Sequence, residues 1–149
     1  MRRPEEVLVV VYRSDRPAFL VLERSPDRQG YWHLVAGALE EGEHAVAAAE
    51  RELLEETGLD AGVVDLGRTY RYPLAEEPPE VRARFASEVA EIAVFAFAAE
   101  APTGWEPTLD EEHVGYRWCT RDDALLLLRY PEPRDAVEHV ARALVHSRA

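Results

Sequence analysis

The sequence predicts an α/β (α+β) domain in which helices cover a mixed β-sheet. Three observations carry this. Runs of β-branched and aromatic residues of strand length open the chain, the apolar spacing switches to a helical period near residue 44, and strand-like runs return before two closing helical stretches. The 149 residues fit one domain, residues 1–149. A chain of about 150 residues buries roughly 70% of its unfolded surface, enough for a core.

Each element follows in order. Val7–Tyr12 (VLVVVY) is a β-branched strand, Arg13–Pro17 a turn, and Phe19–Glu23 a second strand that makes a hairpin with the first. Ser25–Gly30 is a loop, and Tyr31–Val35 reads as a third strand. From His44 to Thr57 the residues Ala45, Val46, Ala49, Leu53 and Leu54 recur at helical spacing, and Gly58 is the stop. Gly67–Leu74 and Val81–Ser87 read as strands around the Glu/Pro-rich loop Ala75–Glu80. Glu91–Ala98 is a strong strand, 102–112 a loop, and His113–Cys119 another strand. Thr120 is placed to cap a short helix over Arg121–Arg129, with Asp123 near N3. Arg134–His146 carries an apolar face and closes the chain as a helix.

Composition narrows the function. There are 17 basic and 29 acidic residues, a formal net charge of −12. That balance argues against nucleic-acid polymers and against anionic membranes, both of which need basic surfaces. A phosphorylated small molecule stays open, because bound metal ions reverse the local sign. Every one of the 17 basic residues is arginine, which excludes lysine Schiff-base chemistry and a Walker-type phosphate loop. Cys119 is the single cysteine, so no intrachain disulfide or cysteine zinc site forms. Acids at Glu5 and Glu6 stand where a signal peptide needs apolar residues, and Val7–Tyr12 is too short to span a bilayer. A cytoplasmic location is expected.

The chemistry concentrates in residues 37–59, GALEEGEHAVAAAERELLEETGL. On a helix Glu55 and Glu56 sit about 60° and 40° to either side of Glu52. Three carboxylates therefore crowd one arc at the negative end of the helix, which destabilises it. A solvated acidic face is one explanation of E-x-x-E-E alone. Mg²⁺ is the other, since it takes carboxylate oxygens together with substrate phosphates. The surroundings decide: Gly37, Glu43, Arg51-Glu52-Leu53, Glu55-Glu56 and Gly58-Leu59 stand at fixed intervals. Leaving aside the two leucines, the seven others at ordinary background usage coincide by chance about once in 10⁸ windows.

This stretch resembles the Nudix box of the Nudix hydrolases at every position. The resemblance implies an α/β/α sandwich around a mixed sheet, and metal-dependent cleavage of a phosphoanhydride bond in a nucleoside diphosphate linked to another group. Residue by residue, it implies that the Gly37 carbonyl touches a metal and that Gly42 turns the chain into the helix. Glu43 pairs with Arg51, which also orients the neighbouring carboxylates. Glu55 and Glu56 are metal ligands, Glu52 is a ligand or the base that activates water, and Gly58 ends the helix. Mg²⁺, with Mn²⁺ as a substitute, is the implied cofactor.

A second resemblance spans most of the chain. Arg3-Pro4 before the first strand, Leu22-Glu23-Arg24, Tyr31-Trp32, and Glu112-His113 followed by Tyr116-Arg117-Trp118 look like the bacterial dihydroneopterin triphosphate pyrophosphatases, which also cleave (deoxy)nucleoside triphosphates. It implies a small-molecule nucleotide or pterin triphosphate as partner, and Glu112 as a further metal ligand or the general base, with Glu111 in its place if the register shifts by one. His113 is expected to be structural. Arg24 suits a phosphate, and Trp32, ahead of Tyr72 and Trp105, suits stacking on a base or pterin ring. The alternatives are a diadenosine polyphosphate, ADP-ribose or nucleotide-sugar hydrolase, and a catalytically silent nucleotide sensor. Ala36-Gly37, where diadenosine tetraphosphate hydrolases carry lysine-glycine, counts against the first of these. Many members of the family pair, so a homodimer is compatible with the resemblance; no segment marks an interface.

Overall fold

The β-branched run becomes the centre of a seven-stranded mixed sheet in the computed structural model, which describes residues 1–148. Strand β1 (Glu5–Arg13) pairs antiparallel with β2 (Ala18–Arg24) through Tyr12 and Arg13, and antiparallel with β4 (Val35–Ala38) through Glu6–Val9. On its other side it runs parallel to β6 (Glu91–Glu100), Glu5 facing Ala93 and Tyr12 facing Glu100. Strand β3 (Trp32–His33) and strand β7 (His113–Cys119) both join β2, and β5 (Val64–Pro73) joins β6.

Alternation along β1 sends its side chains into two cores. Val7, Val9 and Val11 pack with Ala48, Ala49 and Leu53 of helix α1 (Ala45–Thr57). Leu8 and Val10 pack on the opposite face with Ala124 of α3 (Arg121–Leu127) and with Ala136, Val137 and Val140 of α4 (Pro131–Arg148). The sheet is therefore sandwiched between helices, as expected.

Apart from shifts of one or two residues at strand and helix ends, four features differ from the sequence reading. The third strand divides into β3 and β4 around Leu34. Strand β5 starts at Val64, not Gly67, because a bulge between Asp65 and Thr69 accommodates the glycine, whose N–H the Asp65 carboxylate accepts at 2.8 Å. The strand expected over Val81–Ser87 does not form. Pro79 occupies the first turn of a short helix, α2 (Pro79–Arg82), where its fixed φ favours helix over strand. Phe85 then drops into the core, so the alternation of Val81, Ala83 and Phe85 marks anchoring and not a pleat. Helix α4 begins at Pro131, ahead of Arg134, again with proline in the first turn.

The cap at Thr120 forms as read: its hydroxyl accepts the Asp123 N–H at 3.2 Å. Thr120→Ala is expected to lower unfolding free energy by about 1 kcal/mol, measured by urea denaturation. Among the described residues no helix is long and apolar enough to cross a membrane.

Candidate active site

Helix α1 presents its acids at the edge of the sheet because its small residues let it lie close to β1. Ala48, Ala49 and Leu53 are fully buried, which turns Glu52 and Glu56 toward β4. Exposure then grades the three acids: the side chains of Glu56, Glu52 and Glu55 keep 2%, 13% and 54% of their surface. Gly58, at φ 80°, ends the helix, and the Thr108 N–H closes the Thr57 carbonyl at 2.8 Å.

Arg51 gathers the surrounding groups. Its Nε and Nη2 donate to the two Glu43 oxygens at 2.8 and 3.0 Å, Nη1 donates to Glu52 at 2.8 Å and to Glu55 at 3.3 Å, and Nη2 also donates to the Ala38 carbonyl at 3.0 Å. The fork of a guanidinium permits this; an ammonium could not span it. The hydrogen bonds hold Arg51 firmly protonated and pull the Glu43 carboxyl down to about 2. Arg3 ties the same loop by donating to the Glu40 and Glu43 carbonyls at 2.7 and 2.9 Å, and Gly42 turns it at φ 74°.

Gly37 is a close-approach position. A Cβ there would lie 2.2 Å from Glu52 Oε1, well inside contact distance. The bare Gly37 backbone thus lets the Glu52 carboxylate lie against β4.

Glu56 is the anomaly. It is buried, its Oε1 takes only a long 3.4 Å contact from the Ala36 N–H, and its Oε2 has no partner. Burial first, then the neighbouring Glu52, push its carboxyl well above the ordinary range. His113 Nε2 stops 3.6 Å short of Glu56 Oε1, while Nδ1 lies 2.7 Å from Asp110 Oδ1. Among the described residues no three His, Cys, Asp or Glu side chains already converge around one point; Arg51 holds Glu52 and Glu55 instead. The donor set nevertheless suits a hard divalent cation: a buried carboxylate oxygen without a partner, a second carboxylate beside it, and a glycine backbone in contact.

These groups open on a cavity of about 750 Å³. Glu52, Glu55 and Gly37 line one part of it, and Asp110, Glu112 and Arg28 another. Glu112 is held by Arg28 at 3.1 Å, and Glu111 is exposed outside the lining. Arg24 lines the cavity with its guanidinium 5.3 Å from the Tyr31 ring centroid, its Nε buried and without a partner. Trp32 does not line the cavity: it packs on the α4-side core, 5.1 Å beneath the Arg117 guanidinium. Trp105 lies edge-on to Trp118, also away from the cavity. The cavity's aromatic walls include Tyr31, Tyr72, Phe85 and Tyr130.

The family model of the Nudix domain matches residues 2–140, nearly the whole chain. The chain belongs to the Nudix hydrolase family. It is 31% identical to the dihydroneopterin triphosphate diphosphatase of Escherichia coli K12 over 142 residues, covering 92% of this chain and 91% of that one. It is 32% identical over 137 residues to an octanoyltransferase of Myxococcus xanthus, covering 91% of this chain but spanning only 36% of that protein. The solved E. coli dihydroneopterin triphosphate pyrophosphohydrolase superposes with a TM-score of 0.78 at 31% identity, covering 92% of this chain and 94% of that one.

Glu6 is among the cavity residues of this Nudix domain that escaped the sequence reading, with Arg28 and Tyr130. Glu6 accepts the Tyr72 hydroxyl at 2.9 Å and Arg2 Nη2 at 3.1 Å, and its side chain keeps 23% of its surface. Burial pushes its carboxyl up, against the pull of Tyr72 and Arg2. The signal was present: Glu6 is in phase with Leu8 and Val10 on the strand, an acid on an inward face.

Proposed function

We propose that this chain hydrolyses a phosphoanhydride bond of a nucleotide-like triphosphate, dihydroneopterin triphosphate or a (deoxy)nucleoside triphosphate, to a monophosphate and pyrophosphate. The observation that carries the reading is the buried, unpartnered Glu56 Oε2 behind Glu52, whose own carboxylate lies against the bare backbone of Gly37 at the wall of a ligand-sized cavity. Likeness to the E. coli diphosphatase along almost its full length supports the substrate class.

Glu52, Glu55, Glu56, the Gly37 carbonyl and Glu112 are the groups to hold Mg²⁺, or Mn²⁺ in its place. Such ions supply neutralisation of the diphosphate and stabilise charge on the leaving group. The protein's own part is positioning and electrostatics. Arg51 sets the Glu52 and Glu55 carboxylates, and Arg24 offers an unused buried N–H to a phosphate oxygen. The proton of the attacking water goes to a carboxylate of the wall; Glu52, on the helix, and Glu112, on the loop before β7, are the two candidates, and both line the cavity.

The test is phosphate release with and without added inorganic pyrophosphatase, with products separated by chromatography. The panel holds dihydroneopterin triphosphate, the (deoxy)nucleoside triphosphates, diadenosine polyphosphates, ADP-ribose and nucleotide sugars. A triphosphate is expected to give monophosphate and pyrophosphate. EDTA should reduce turnover to background, and Mg²⁺ or Mn²⁺ in excess should restore it. Tight triphosphate binding without hydrolysis under any metal would establish a sensor and overturn the reading.

A further inference from the structure

We infer that Glu6 reads the heterocycle of the substrate, selecting rings that present an N–H beside an exocyclic amine, as guanine and pterins do. This deepens the proposed function and rests on it for the identity of the cavity's occupant.

The argument starts from what surrounds the carboxylate. Leu8, Val81, Phe85 and Val94 wall this part of the cavity with apolar groups, and Tyr72 adds an aromatic ring. Such walls suit a flat heterocycle. Glu6 is seated among them with its backbone in β1, so it is placed by the sheet, whereas its acidic neighbour Glu77 sits on the loop after β5. An ionised carboxylate offers about four lone-pair positions. Tyr72 uses one on Oε1 and Arg2 one on Oε2. One acceptor position remains on each oxygen, and the two donors, Tyr72 and Arg2, which line the same cavity, fix the plane of the carboxylate.

Two parallel acceptors match a ring N–H and the adjacent amine, N1–H and N2 of guanine or the equivalent N3–H and 2-amino group of a pterin. Adenine offers an acceptor, N1, where the carboxylate also accepts, so lone pairs would face each other. Uracil and thymine have one N–H between two carbonyls and leave an oxygen of Glu6 opposed. The phosphate chain then extends toward Gly37 and Glu52: Glu6 lies opposite Ala38, and the next pair on the ladder is Val7 with Gly37.

The test is equilibrium binding of GMP and AMP by calorimetry, without metal, to the wild type and to Glu6→Gln. Wild type should bind GMP more tightly than AMP by about ten- to a hundredfold, the discrimination of a bidentate base contact. A glutamine amide presents one acceptor and one donor, which suits adenine N1 and N6. Glu6→Gln should therefore weaken GMP and strengthen AMP, narrowing or inverting the preference. A merely structural defect lowers both together, and that result, an unchanged preference, or a wild type indifferent to the base would overturn the inference. Tyr72→Phe frees one oxygen of Glu6 and should narrow the preference several-fold with a wild-type melting curve, which keeps the test open if Glu6→Gln does not fold. GMP preference in a wild type that hydrolyses no triphosphate would sink the proposed activity and leave Glu6 standing as a base reader.

Discussion

Glu56→Gln is expected to lower kcat by about a thousandfold or more, the scale seen when a centre that stabilises developing charge is removed, while the folded state melts at or above the wild-type temperature. The two effects have one cause. Glu56 is buried beside Glu52 with an oxygen that has no partner, so its charge costs free energy in the empty protein. A neutral amide of the same shape removes that cost and removes the ligand with it. Steady-state kinetics and calorimetric melts on the same preparation check this. Mg²⁺ should raise the melting temperature of wild type, because a cation bound only to the folded state stabilises it, and should leave Glu56→Gln unmoved. Retained turnover would refute the metal assignment, and a large loss of stability would show that Glu56 is a structural anchor.

Gly37→Ala is the second large effect. The added methyl falls 2.2 Å from Glu52 Oε1, so the carboxylate or the strand must move. Overpacking of this kind costs about 1–3 kcal/mol. Displacing a reacting group by about 1 Å costs about a hundredfold in rate. Glu52 is held in place by Arg51, so the strain falls on the geometry of the pair. Combining Gly37→Ala with Glu52→Asp should recover stability, since the shorter acid withdraws from the methyl, without recovering rate. A Gly37→Ala enzyme with wild-type kcat would show that Glu52 does not need this contact.

The parts of the fold that follow from local period were legible in the sequence. β1, β2, α1, β6, β7 and the Thr120 cap depend on alternation, helical spacing or a single side-chain hydrogen bond. The segment from Ala75 to Ser87 was misread because two prolines and one buried phenylalanine imitate a loop followed by a pleat. The box was legible because its residues stand at the fixed intervals of the Nudix box; helix geometry placed Glu52, Glu55 and Glu56 on one arc but left a solvated acidic face open. The base end of the cavity was not. Its walls come from β1, β5 and the α2 segment, far apart in the chain, and Tyr31, which lines the cavity where Trp32 does not, lies just before the two-residue strand β3.

The position of β1 has a consequence for synthesis. Its parallel partner is β6, and Glu5 meets Ala93 only after the intervening box helix has been made. At roughly 5–20 residues per second, the VLVVV run waits on the order of 5–20 s on the ribosome before its longest neighbour emerges. During that interval β2 pairs with it only at Tyr12 and Arg13 and β4 at Glu6–Val9, so one edge is covered while the edge that β6 takes stays open. An apolar strand with an open edge is what holdase chaperones bind and what aggregates without them. The same central placement that puts Glu6 and Gly37 on neighbouring rungs makes the nascent chain dependent on its surroundings until residue 100 is reached.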